Sequence, residues 1–196
     1  GQGVTTLVCF HGCPLRCHWC LNPFTLDPTT KKEILTPQAL YEKVRIDELY
    51  FLATGGGGTF GGGEPLLYSD FLQKFREICG NDWHLCAETS LNVPWENVEK
   101  AASCIDYFYI DCKDTNPDIY RRYTGQDNAR ILENAAALKA SGIPHVFRIP
   151  LIPGITDTKE NLDAIEEIIG NSTWEKLPYN TMAGAKYKML GMEYSL

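Results

Sequence analysis

Residues 4–23 read VTTLVCFHGCPLRCHWCLNP, a β-branched run that gives way at Gly12 and Pro14 to a loop carrying Cys13, Cys17 and Cys20. Valine, threonine and phenylalanine favour a pleated strand, and glycine and proline end it. Strand followed by reactive loop is the opening unit of an α/β fold, in which chemistry gathers at the C-terminal ends of parallel strands. Five more strand-like runs follow: GGTFG (57–61), HLCAET (84–89), YFYIDC (107–112), HVFRIPLI (145–152) and KLPY (176–179).

Helix signals lie between these runs. Thr36-Pro37 opens one helix, Ser69 precedes Phe71, Leu72 and Phe75, and Pro94 leads into Val98 and Ala101. Asn128 precedes Ile131, Leu132, Ala135 and Leu138, with Gly142 as the stop. Asp157 and Glu160 read as a capping box before Leu162, Ile165 and Ile169, ended by Gly170. Alternating strands and helices predict parallel strands with right-handed crossovers. A closed eight-unit barrel of about 250 residues uses about 31 per unit, so this chain holds about six. The expected fold is therefore an open, partial (βα)6 TIM-like barrel with outer helices; a doubly wound sheet is the alternative.

All 196 residues read as one domain with no linker. The segment after Cys20, NPFTLDPTTKKEIL, holds no cysteine, so no ferredoxin-like cluster insert is expected. The chain starts at Gly1 without Met and shows no helix signal after its sixth strand, and so reads as trimmed at both ends. A net charge of −7, with no Lys or Arg run, argues against nucleic acid as partner. No apolar run approaches the roughly 20 residues that cross a bilayer. Eight cysteines without a secretory signal point to a reducing, cytoplasmic setting, where thiols bind metals or catalyse.

Cys79, Cys86, Cys104 and Cys112 sit singly in apolar segments and read as buried thiols. The spacing Cys9-x3-Cys13-x3-Cys17-x2-Cys20 admits disulfides, structural zinc or an iron–sulfur cluster. Reducing conditions disfavour the first. Zinc wants a second Cys/His pair, which His11, His18, His84 and His145 do not form. Thiolates hold the irons of a cluster, and that reading fits best. Cys9 lies within the strand run and is expected to pack, leaving three thiolates and one iron without a protein ligand. A catalytic metal needs such an open position; a pure electron carrier does not.

The second motif is GGGGTFGGGEPLLY (55–68). Glycine admits close backbone approach, so Gly62 and Gly63 beside Glu64 can offer carbonyls to an ammonium group. Charged and polar residues then recur at strand ends: Glu88-Thr89 on the third, Asp111 and Lys113 on the fourth, Arg148 on the fifth, and Asn180 after the sixth. Their recurrence at strand ends is what a site assembled from several strands would produce, and Lys113 or Arg148 can pair with a carboxylate.

CPLRCHWC directly after the first strand resembles the cluster loop of the radical S-adenosylmethionine superfamily. The likeness extends through TFGGGEPLL, YIDCKD, YTGQDN, RIPLIPGITD, LPYN and KYKMLGMEY, and begins at Gly1-Gln2-Gly3. Within that superfamily it is similar to activating enzymes of glycyl radical enzymes. The resemblance implies a [4Fe–4S] cluster on Cys13, Cys17 and Cys20, with S-adenosylmethionine chelating the open iron. It implies reductive cleavage to a 5′-deoxyadenosyl radical that takes a glycine Cα hydrogen from a partner such as formate C-acetyltransferase. Reduced flavodoxin or ferredoxin would supply the electron, and no protein nucleophile or base would be needed. Gly62, Gly63 and Glu64 would hold the cofactor's amino group. Asp111, Lys113 and Arg148 would lie near it, and Trp19 would shield the cluster, neighbour the adenine or simply pack. Glu88-Thr89 matches a pair associated with a monovalent cation, although Glu88 is a methylene longer than the family's aspartate. Gly61 replaces a usual serine, Asn180 a common histidine and Thr5 a frequent arginine. Two alternatives stand: a radical enzyme acting on a small molecule or peptide, and a ferredoxin-like electron carrier completed by Cys9.

Overall fold

A computed structural model describes residues 2–196; Gly1, the first residue of the Gly-Gln-Gly segment, lies outside the described residues. Six strands form one sheet: β1 (Thr5–Phe10), β2 (Gly57–Gly62), β3 (His84–Thr89), β4 (Tyr107–Asp111), β5 (His145–Leu151) and β6 (Trp174–Pro178). Every neighbouring pair is parallel and the order is sequential, β1 to β6. A doubly wound sheet reverses its strand order in the middle, so sequential order rules that alternative out. Neither outer strand pairs with the other, and the barrel stays open.

The helices are α1 (Pro37–Val44), α2 (Glu48–Thr54), α3 (Ser69–Cys79), α4 (Trp95–Ala102), α5 (Pro117–Thr124), α6 (Ala129–Ala140), α7 (Lys159–Ile169) and α8 (Ala183–Met189). Thr36 caps α1 through its side chain, with Pro37 at the first position. Three expected caps differ. Thr158, not Asp157, caps α7 by accepting from the Asn161 amide, because Asp157 turns back to the amide of Gly154. Ser69 is the first residue of α3 and accepts from Asn97 instead of capping. Asn128 precedes α6 but spends its amide on the carbonyls of Asp114 and Thr115. A final helix, α8, exists where none was expected.

Even-numbered residues of β1 face the helices, where Val8 and Phe10 pack on the main core. That core is aromatic at its centre: Trp83 stacks on Tyr41 at 5.1 Å and meets Phe51 edge-on at 5.0 Å, while Phe60 meets Phe75 at 5.4 Å. A groove of about 710 Å³ lies on this side of β1, against Leu40, Val44 and Phe71, and none of the three loop cysteines lines it. Odd-numbered residues face the barrel lumen, which nothing covers at this edge. Leu7 is exposed there, and so is Cys9. The expectation that Cys9 packs is thus corrected: β1 is an edge strand, and its lumen side is open. Cys86, Cys104 and Cys112 are buried as expected, whereas Cys79 is only half-buried.

Trp83 is almost fully buried and its indole N–H donates to Glu48 at 3.2 Å. Truncating a residue of this size leaves a cavity as well as losing transfer energy. Trp83→Ala is expected to cost about 3–5 kcal/mol, read as a lowered urea midpoint with unchanged slope.

Candidate active site

The cysteine loop is held from two sides. On one side the amide of Gly12 donates to Thr25 O at 2.8 Å. On the other, the amides of Arg16 and His18 donate to the carbonyls of Thr124 and Tyr123, at 2.7 and 3.0 Å. Those carbonyls belong to the last turn of α5, where a helix leaves its C=O groups without internal partners. Helix end and loop therefore satisfy each other. Leu15, Tyr120 and Ile131 form a small apolar cluster on which Cys13 and Cys17 rest. Trp19 is buried, with Tyr123 at 6.2 Å between ring centres.

Cys13, Cys17 and Cys20 sit close enough to feel one another's charge. Burial pushes the Cys13 thiol up to about 11 and Cys17 up to about 12, and neighbouring thiolates add to the rise. The ammonium of Lys113 acts in the opposite direction on all three. Cys9 stands apart: burial raises it first, and its charged neighbours are Glu88 and Lys186. Among the described residues no three His, Cys, Asp or Glu side chains converge on a single-ion site. In a cubane cluster each thiolate holds a different iron, so spread thiols beside a buried ammonium fit a cluster better than one zinc ion.

The glycine motif lies against this loop. The amides of Gly63 and Glu64 donate to Phe10 O at 2.9 Å and Gly12 O at 2.8 Å. Gly62 has φ of +83°, and a Cβ there would come within 2.7 Å of the Cys9 side chain. A Cβ on Gly63 would lie 2.1 Å from Gly12 O. Only glycine fits either place. Gly61 sits against Glu88, whose Oε2 would be 3.0 Å from a Cβ, so a serine there would have to shift that side chain.

Glu64 does not present its carboxylate to a ligand. The side chain is buried, and both oxygens are taken up by protein donors. Oε1 accepts from Thr89 Oγ1 at 2.7 Å and the Leu66 amide at 3.2 Å. Oε2 accepts from the Ser90 amide at 2.9 Å and Ser90 Oγ at 2.7 Å. Burial raises its pKa and these four donors counter the rise. Thr89 is committed too, since its hydroxyl also accepts from the Leu91 amide at 2.9 Å. What the motif offers a ligand is backbone: the Gly63 carbonyl accepts from no described residue, while Gly62 O takes a long 3.3 Å bond from Asn22. Leu91 has φ of +59°, and Asn134 steadies it by donating to the carbonyls of Leu91 and Val93.

Lys113 is buried and its Nζ lies 2.7 Å from Asp111 Oδ2. Burial alone would discharge the ammonium, but Asp111, with Cys17 and Tyr120 nearby, holds its pKa above the ordinary value. Arg148 donates to Glu88 at 2.8 Å, approaches Glu175 at 3.4 Å and lies 3.8 Å over the Tyr109 ring. Glu88 thus takes its positive partner from the chain, at the place where a monovalent cation was expected. Asn180 is exposed and accepts from the Met182 amide at the entry to α8. It makes no hydrogen bond with Glu88, Asp111, Lys113 or Arg148. Ser90, Tyr109, Glu175 and Lys186, which donates to Leu21 O at 2.7 Å, escaped the sequence reading. Their partners lie far away in the chain; only the Asp-x-Lys pair has a local signature.

The Radical SAM superfamily model matches residues 7–167. A pyruvate formate-lyase-activating enzyme of Clostridium pasteurianum is 34% identical over 200 residues, covering all of this chain and 84% of that protein. A (2S)-3-sulfopropanediol dehydratase activating enzyme of Klebsiella oxytoca is 26% identical over 263 residues, again covering the whole chain and 83% of the relative. Among solved structures, a domain of a pyruvate-formate lyase-activating enzyme from Bacteroides vulgatus superposes with a TM-score of 0.59 at 25% identity, over 72% of this chain and 98% of that one. The chain belongs to the radical SAM superfamily. Within it, it is an enzyme of the glycyl-radical-enzyme-activating type, and its cofactors are a [4Fe–4S] cluster and S-adenosylmethionine.

Replacing Glu64 by Gln tests the buried carboxylate. In either amide orientation the NH2 group meets a backbone N–H, from Leu66 or from Ser90, that cannot turn away. Leaving such a buried donor unsatisfied costs about 1–3 kcal/mol. Glu64→Gln should lower the unfolding free energy by that amount in urea titrations, although side-chain size is unchanged.

Proposed function

We propose that this enzyme generates a radical on a partner glycyl radical enzyme, with Cys13, Cys17 and Cys20 as the ligands of its cluster. The observation that supports it is the gathering of the cysteine loop, the Gly62–Gly63 backbone and the Asp111–Lys113 pair at the strand ends of a barrel left open at one side. When bound, the cluster and S-adenosylmethionine supply one-electron reduction and carbon–sulfur cleavage, ending in hydrogen abstraction. The protein's part is to bind, orient and exclude water. The carbonyls of residues 62 and 63 would accept from the cofactor's ammonium group, and Lys113, buried and charged, would supply fixed positive potential beside the thiolates. Arg148, clamped between Glu88 and Glu175 over Tyr109, is held in one orientation on the lumen wall.

The opening beside β1 suits a substrate delivered as a loop of another protein. Six strands leave a lateral entrance that eight would seal, and the lumen-facing Leu7 is 55% exposed there. A small-molecule substrate would not need this entrance. A reduced flavodoxin or ferredoxin is the donor that fits a low-potential cluster, and the setting is the cytoplasm. Among the described residues no helix is long and apolar enough to cross a membrane.

Two measurements test this. First, anaerobic reconstitution should give a reduced cluster whose paramagnetic resonance spectrum changes on adding S-adenosylmethionine. Cys13→Ala, Cys17→Ala and Cys20→Ala should each lose it, while Cys9→Ala keeps it; loss in Cys9→Ala with retention in Cys17→Ala would sink the ligand assignment. Second, incubation with glycyl radical enzymes and reductant should yield a glycyl radical doublet on one of them. Formation of 5′-deoxyadenosine with no radical on any such partner would shift the reading to another substrate.

A further inference from the structure

The hydroxyl of Tyr120 is a buried polar group that no contact in the protein explains. Tyr120 lies on α5 and is 2% exposed, and its oxygen has no hydrogen-bond partner among the described residues. A buried hydroxyl left unpaired costs about 1–3 kcal/mol, so a sequence with no use for it would do better with phenylalanine. The ring packs with Leu15 and Ile131, against Cys13 and Cys17. Cys13 and Cys17 pack on this same apolar cluster, so Tyr120 stands against the cysteine loop from the α5 side. None of the groups around it takes it: the hydroxyl forms no hydrogen bond with Lys113, with Asp111 or with the Tyr123 and Thr124 carbonyls.

We propose that the Tyr120 hydroxyl donates a hydrogen bond to the iron–sulfur cluster, at the Cys17 thiolate or an adjacent sulfide, and so sets its reduction potential. The inference rests on the reading that Cys13, Cys17 and Cys20 hold the cluster. Tyrosine is an O–H donor at neutral pH, and hydrogen bonds to the sulfurs are one of the levers that tune such clusters. Reduction adds negative charge to the sulfurs, so a donor stabilises the reduced state more than the oxidised one. The same α5 that closes the back of the cysteine loop would then also make the cluster easier to reduce. Tyr120 is a positioning and tuning residue in this scheme; it touches neither substrate nor the carbon–sulfur bond.

The test compares wild type and Tyr120→Phe, both reconstituted anaerobically, with iron and sulfide content measured first. Equal content and a three- to tenfold smaller equilibrium constant for reduction are expected. The tenfold limit corresponds to a midpoint about 59 mV more negative for a one-electron couple. A deuterium coupling to the reduced cluster, present in wild type exchanged into heavy water, should weaken in the variant. An unchanged midpoint in a fully loaded variant overturns the proposal. If Tyr120→Phe loads poorly, 3-fluorotyrosine at position 120 keeps the shape and strengthens the donor; a more positive midpoint supports the proposal and an unmoved one overturns it. Failure of the parent reading looks different: wild type itself would take up no iron and sulfide, or Cys17→Ala would take up as much.

Discussion

The backbone contact between two loops is the constraint on which the site depends. Gly63 and Glu64 donate to the carbonyls of Phe10 and Gly12, and no side chain fits between them. This seam extends the β1–β2 ladder past the end of the strands and fixes where the cysteine loop leaves the sheet. Glu64 then locks the glycine loop to the next strand through Thr89, Ser90 and its own turn at Leu66. Three strand ends are thereby tied by hydrogen bonds that a ligand need not supply. A carboxylate buried with four donors holds its geometry far more tightly than one reaching into solvent, and the carbonyls of a clamped loop are aimed before the ligand arrives.

The second support comes from the opposite wall. The Asp111–Lys113 segment bulges at the end of β4, and two buried asparagines hold it. Asn161 donates to Lys113 O at 3.1 Å and accepts from the Thr115 amide at 2.9 Å, while Asn128 donates to Asp114 O and Thr115 O. Lys113 is thus fixed at its backbone by α7 and at its ammonium by Asp111. A buried Lys usually relinquishes its proton; here the Asp111 carboxylate keeps it charged. A permanent cation behind the thiolates lowers the cost of placing three of them in one partly buried loop.

The six strands were legible because β-branched and aromatic residues announce them locally, as VTTLVCF and YFYIDC do. The three loop cysteines and the glycine pair were legible for the same reason, as short patterns. What was not legible is long-range. Glu64 looked like a ligand residue because its acceptors' donors, Thr89 and Ser90, lie 25 and 26 residues on. Glu88 matched a cation-associated pair by resemblance alone, and its actual partner, Arg148, lies 60 residues away. α2 gave no helical stripe, since Leu49, Tyr50 and Leu52 are exposed and only Phe51 is buried. α8 (Ala183–Met189) is preceded by Met182, which offers no capping side chain, so its boundary carried no signal. Cys9 was placed correctly in a strand, yet strand membership does not say whether a neighbour covers its face.

An open barrel changes what its lumen can contain. A closed eight-stranded barrel fills its interior with branched apolar side chains in layers. Here only a small apolar floor remains, made by Cys86, Tyr109 and Val146 with Tyr107 beside them. Above it lie Glu88, Arg148, Glu175 and Asp111, charges that a sealed interior would not tolerate without heavy desolvation cost. Their arrangement shows how the cost is limited. Arg148 sits between two carboxylates and over an aromatic face, so its planar cation is paired on its edges and covered on its face. Glu88 and Glu175 are 40% and 50% exposed and keep part of their hydration. Such a wall is stable when empty and presents alternating charge to whatever enters beside β1. The missing strands therefore do more than provide an entrance: by leaving the lumen wet, they allow it to be charged.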